Sequence, residues 1–163
     1  MVYVSSMSLA AYYMDRSRFV VLKHTQPASQ IPLSRRQYLS GGDLPSDSVD
    51  VHYDLMLESA GGLLTFAVPK APSTSHPTLP AIKLPLHREA YLDHEGPVSG
   101  NRGIVKRVIS GTFALIEIAP QVVLEGRFEK LTVELFARDS ETPLRLVLKR
   151  MEQDKFEITC RTN

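Results

Sequence analysis

The chain has 163 residues, with 19 Lys and Arg against 18 Asp and Glu for a net charge of +1. That length fits one domain with a core that needs no disulfide staples, and the balanced charge excludes a protein drawn to nucleic acid or membrane by its global field, so any polyanion affinity has to come from a local cluster. The single cysteine, Cys160, has no internal partner, which suits a reducing cytoplasm, and no apolar run approaches the roughly 18 residues of a membrane span.

The first 17 residues read as an N-terminal extension with a short helix over Leu9–Arg16. They lack the basic start and long apolar core of a secretory signal. Residues 18–163 read as one domain. Arg18–Lys23 (RFVVLK) is a continuous apolar run rich in Val and Phe, the pattern of a buried strand, with His24 at its end. From Thr25 to Ser48 the periodicity dissolves among Pro, Gly and Ser, which predicts a long loop with one helical turn near Ser34–Leu39. Further strand signals follow at Val49–Glu58, Leu63–Val68, Ala81–Leu86, Ile104–Ile109, Thr112–Ile118, Val122–Phe128, Leu131–Phe136, Leu144–Met151 and Phe156–Thr159. Turn residues punctuate them at Gly61-Gly62, Ser110-Gly111, Ala119-Pro120 and Thr142-Pro143, and the proline-rich segment Pro69–Pro80 reads as a rigid crossover. Many short strands with little amphipathic helix predict a mainly β protein: a small antiparallel barrel, or a sandwich, with one or two short peripheral helices.

Val49–Ser59 (VDVHYDLMLES) carries the most chemistry. Alternate residues of a strand share a face, so His52, Asp54, Met56 and Glu58 face one way while Val51, Tyr53, Leu55 and Leu57 face the core. The polar set would then point into a barrel mouth or a groove. With His24 from a neighbouring strand, His52 and Asp54 would make a mixed nitrogen and oxygen set, which suits manganese, iron or zinc better than magnesium or calcium. The plainer alternative is a hydrogen-bonded polar strand face. His87 and Tyr91 stand at the spacing of a helical turn, either as a phosphate clamp or as a surface histidine beside a half-buried tyrosine. Lys70, Lys83, Arg88, Arg102, Lys106 and Arg107 add local positive charge. The glycines of GPVSGNRG (Gly96–Gly103) lack the Lys-Ser/Thr of a phosphate-cradling P-loop, and Ser73–Ser75 beside His76 lacks an orienting acid and the turn context of a serine nucleophile.

Taken in order, FVVLKH (Phe19–His24), HYDLMLE (His52–Glu58), FAVPKAPS (Phe66–Ser73) and H…YLDHEG (His87–Gly96) resemble the 3'-phosphoesterase domain of bacterial DNA ligase D, which carries FVVxKH, HYDFRLE, WAVPKGPS and HPLxYxxFEG. The motifs cover Phe19 to Gly111, and the remainder agrees by strand pattern alone. The resemblance implies a stand-alone, cytoplasmic, manganese-dependent β-barrel that removes a 3'-terminal ribonucleoside and a 3'-phosphate from DNA ends in repair, with a separate ligase or polymerase as a partner and no membrane association. By motif match, His24, His52 and Asp54 are the metal ligands, His87 and Tyr91 the catalytic phosphate-site pair, and Lys70 a substrate-binding lysine. Lys83 and Arg88 join Lys70 as residues expected to hold the backbone on either side of the phosphate. Met56 stands where the family has arginine, Phe66 where it has tryptophan, and the segment between His24 and His52 is longer than in the family. Methionine offers no fork of charged hydrogen bonds, so the alternative expectation is a metal-containing module for nucleic acid or another phospholigand with weakened catalysis. Arg35 and Arg36, in the long segment, could restore the missing charge.

Overall fold

The computed structural model describes residues 17–42, 49–116 and 128–162. Within these residues nine strands run in chain order: β1 (Arg18–Pro27), β2 (Val49–Ser59), β3 (Gly62–Val68), β4 (Thr78–Lys83), β5 (Gly96–Pro97), β6 (Ile104–Leu115), β7 (Lys130–Ala137), β8 (Leu144–Glu152) and β9 (Lys155–Arg161). Among the described residues one helix, α1 (Leu33–Leu39), follows a 3-10 turn at Ala28–Gln30, and a second such turn spans Glu89–Leu92. Every described strand pair is antiparallel. The order β1-β2-β3-β4-β9-β8-β7-β6 closes through a β1–β6 ladder into an eight-stranded barrel, with β5 appended to β6. That closure decides between barrel and sandwich. The expected helix at Leu9–Arg16 and strand at Val122–Phe128 fall mostly or wholly outside the described residues.

Alternate residues fill the barrel. Phe19 and Val21 of β1, Leu55 and Leu57 of β2 and Phe66 of β3 meet Phe156 of β9 in one cluster, where Phe66 and Phe156 stand edge to face with centroids 5.2 Å apart. Each such side chain stabilises the fold by roughly 1.5–3 kcal/mol through burial. A second apolar layer covers the outside of the same wall: Val20 and Leu22 of β1, Met56 of β2 and Val105 of β6 pack against Leu92 and Val98 of the segment between β4 and β6. Both faces of β1 are therefore buried, which is why RFVVLK reads as a continuous run instead of an alternation.

That covering segment is pinned at several points. His87 and Leu63 exchange backbone hydrogen bonds of 3.0 and 2.7 Å, Arg18 Nη2 lies 2.6 Å from Asp93 Oδ1, and Glu95 Oε1 accepts from the Arg107 amide at 2.8 Å.

Several expected boundaries shift. β1 continues to Pro27 because β2 starts early enough to pair it, Thr25 with Val51 and Pro27 with Val49, so His24 lies within the strand and not at its end. The strand expected at Ala81–Leu86 is Thr78–Lys83. Its first half pairs only with β9, which leaves Pro80 beside an open edge where its missing N–H costs no ladder bond. Pro69–Pro80 is not a crossover: it leads between strands that neighbour one another and pair antiparallel, with a bridge between Ser73 and His76. The expected turn at Ser110-Gly111 is instead the middle of a continuous β6, and a Cβ on Gly111 would lie 2.0 Å from the Phe136 carbonyl. Glycine is there for backbone approach, not for a turn. Among the described residues no helix is long and apolar enough to cross a membrane.

Candidate metal centre

The β1–β2 register sets His24 directly opposite His52, with ring centroids 4.9 Å apart. Asp54 lies one step further along the same face of β2. The site therefore sits on the outer wall of the barrel, in a groove of about 200 Å³ between that wall and the covering segment, and not in the barrel mouth. Ligand atoms of His24, His52 and Asp54 all lie within 4.8 Å of one another.

Main chain and neighbouring carboxylates orient each imidazole. His24 Nε2 lies 2.7 Å from the Arg102 carbonyl, which can only accept, so this nitrogen carries a proton and Nδ1 is turned toward Asp54 Oδ2 at 3.1 Å. His52 Nδ1 lies 2.6 Å from Asp50 Oδ2, and its Nε2 faces Asp54 Oδ1 at 3.3 Å. That spacing satisfies charge but not hydrogen-bond alignment, and Asp54 Oδ1 is a buried oxygen without a hydrogen bond. A proton held on the outward nitrogen by an oxygen acceptor, with the other nitrogen aimed at a shared point, is the arrangement that presents histidines to metals. Two imidazole nitrogens and a carboxylate fit a divalent transition metal better than a hard alkaline-earth ion. The orphaned Asp54 oxygen is consistent with such a ligand.

Electrostatics follow from this geometry. Burial disfavours a charged His52, but the carboxylates of Asp50 and Asp54 outweigh it and lift its pKa to about 9. Burial likewise opposes ionisation of Asp54, yet His24 and His52 hold it well below the usual carboxylate range. Without metal, the protonated His52 balances the carboxylate; a metal would displace that proton.

His87 and Tyr91 line the same groove, with rings 5.8 Å apart. His87 Nδ1 donates to the Pro85 carbonyl at 2.8 Å, which leaves Nε2 as its functional atom. Met56, only 1% exposed, contributes both to the groove and to the outer apolar layer. Of the expected substrate-binding residues, Lys70 and Lys83 do not line this groove; Arg88 lines a second hollow of about 190 Å³ that shares Tyr91 and Val98 with it.

Four features escape a reading of side-chain motifs. Asp50 had a signal, since it extends the alternation to which His52 and Asp54 belong. Gln26 reaches the groove because β1 is longer than its apolar run. Arg102 acts through its backbone carbonyl, which carries no residue-type signature. Gly103 allows that carbonyl to approach: its φ is +88°, and a Cβ would lie 2.0 Å from the Thr25 carbonyl. The glycine-rich stretch therefore supports His24 of the candidate centre through the Arg102 carbonyl.

No protein-family model matches the chain, and no curated protein matches it.

Proposed function

We propose that the groove is a metal-dependent phosphoesterase site acting on DNA 3' ends, where it removes a terminal ribonucleoside and a terminal phosphate in end repair. The observation that carries this reading is the convergence of His24 Nδ1, His52 Nε2 and the Asp54 carboxylate, each imidazole oriented by an acceptor behind it, in a groove also lined by His87 and Tyr91. The motif resemblance supplies the substrate class and favours manganese.

A bound divalent ion would act as a Lewis acid on a phosphoryl oxygen and lower the pKa of water. The chain does the rest. His24, His52 and Asp54 would hold the ion, with Asp50 and the Arg102 carbonyl keeping the imidazoles in the ligating orientation. His87 can carry a proton at Nε2 to the departing oxygen, the 5' oxygen of a ribonucleoside or the 3' oxygen of the primer. Tyr91 can donate a hydrogen bond to a phosphoryl oxygen. Water adds to phosphorus in both reactions: with a terminal ribonucleoside the bond from phosphorus to its 5' oxygen breaks and leaves a 3'-phosphate, and with that phosphate the bond to the 3' oxygen breaks and gives a 3'-hydroxyl and inorganic phosphate. Lys70, Lys83 and Arg88 lie outside the groove lining, so the reacting phosphate is left to the groove's own side chains.

Met56 favours a second reading, a metal-containing module for a phospholigand with weak or absent turnover, because this buried side chain gives the phosphate no hydrogen bond. Manganese-loaded protein should release phosphate from a 3'-phosphorylated primer and shorten a primer ending in a ribonucleotide. Salt-dependent binding of these ends without turnover would select the module; neither binding nor turnover would reject both readings.

A further inference from the structure

α1 is the helical turn expected near Ser34–Leu39 within the long segment, and it is held in place. Ala28 and Ile31 before it are buried, and Gln30 Nε2 donates to the Asn101 carbonyl at 2.9 Å. At its far end the Tyr38 hydroxyl donates to the Phe156 carbonyl at 2.8 Å, while Lys155 Nζ lies 5.4 Å from the centroid of the same ring. A short helix anchored on both sides presents its remaining side chains with little freedom.

One of these, Arg35, lines the groove together with His24, Asp54 and Met56. It is half-buried, and among the described residues its guanidinium has no hydrogen bond or ion pair. The other groove arginine differs: Arg102 Nε and Nη2 bond to Ser99 at 2.7 and 3.1 Å. A partly desolvated guanidinium is costly unless an anion pairs with it, and its planar fork matches two oxygens of one phosphoryl group. The groove floor cannot supply that contact, because Met56 is apolar.

We propose that Arg35 is the anion-binding arginine of this groove, reaching in from α1 to hold two oxygens of a terminal phosphate whose remaining oxygens face the metal ligands and Tyr91. The identity of the anion rests on the metallophosphoesterase reading; the role of Arg35 in binding an anion rests on the groove itself. The site would favour a phosphomonoester end, which carries more charge than a hydroxyl-terminated strand.

The test compares wild type, Arg35→Ala, Arg35→Lys and a remote charge control, Lys149→Ala on the exposed side of β8. Each is titrated with labelled oligodeoxynucleotides ending in 3'-phosphate or 3'-hydroxyl, once loaded with manganese and once in EDTA, and metal content is measured on the same samples. The expected result is that Arg35→Ala weakens binding of the phosphate-ended probe about tenfold or more at unchanged metal content, with partial recovery in Arg35→Lys and wild-type behaviour in Lys149→Ala. Binding by Arg35→Ala within about twofold of wild type, or wild type that does not distinguish the two ends in either condition, overturns the proposal. Failure to take up manganese defeats the metal reading alone, because the EDTA arm still measures the Arg35 effect.

Discussion

His24 and His52 occupy directly opposed positions on β1 and β2, and each points one ring nitrogen at Asp54 while an oxygen acceptor holds the other. Asp50 is the acceptor behind His52. Asp50→Ala should therefore lower manganese affinity by about 10–100-fold, while His52→Ala or Asp54→Ala should abolish tight binding. Calorimetric titration of metal into each variant, with circular dichroism as a check on folding, measures this. Equal affinities for Asp50→Ala and wild type would show that the outer acceptor does not orient the ligand.

Acid and base should act oppositely on the metal-free and metal-loaded protein. The folded pKa of His52 is about 9, above its ordinary value of 6.5. Its interaction with Asp50 and Asp54 therefore stabilises the metal-free fold fully below about pH 6.5 and is lost as pH rises through about 9. Asp54 is the other half of the same interaction and adds no separate increment there. Denaturant unfolding in EDTA should show stability falling across this window, and His52→Ala should flatten the slope. Manganese affinity should rise over the same window as the competing proton leaves.

Gly103→Ala should disturb the centre without touching a ligand. The added Cβ would meet the Thr25 carbonyl, and the positive φ disfavours any L side chain. A stability loss of roughly 1–3 kcal/mol is expected from backbone strain, together with weaker metal binding as the Arg102 carbonyl withdraws from His24. Unfolding curves and metal titrations on one preparation separate the two effects. Unchanged metal affinity would place the loop outside the centre's support.

Met56→Arg should destabilise the protein. The guanidinium would enter a layer made by Val20, Leu22, Leu63, Leu92, Val98 and Val105, where an uncompensated polar group costs roughly 1–3 kcal/mol. A lower thermal midpoint is the expected outcome. A midpoint equal to wild type would mean that the side chain escapes entirely into the groove and that the layer tolerates its loss.

Much of the barrel and the centre was legible because strands encode their faces. RFVVLK announced a buried strand, and HYDLMLE separated the His52 and Asp54 face from the core by simple alternation. Ser110-Gly111 misled because glycine in a strand can mark close backbone approach as readily as a turn. The location of the site on the outer wall was not legible, since it depends on which loop covers that wall, a contact between residues distant in sequence. The support from Arg102 was also hidden, because a carbonyl is common to all residues.

Closure of the barrel has a consequence for recognition. Strand addition needs a sheet edge with unspent N–H and C=O groups. Here β1 and β6 have paired with one another, and the appended β5 spans only Gly96–Pro97, with a proline that has no N–H to give. Apart from the short open edge at the first half of β4, where Pro80 has no N–H to give, the described strands offer little template for another chain to extend, whether an aggregating copy or a peptide. What approaches this wall meets side chains: an imidazole, a carboxylate, a phenol and a guanidinium set around one small cleft.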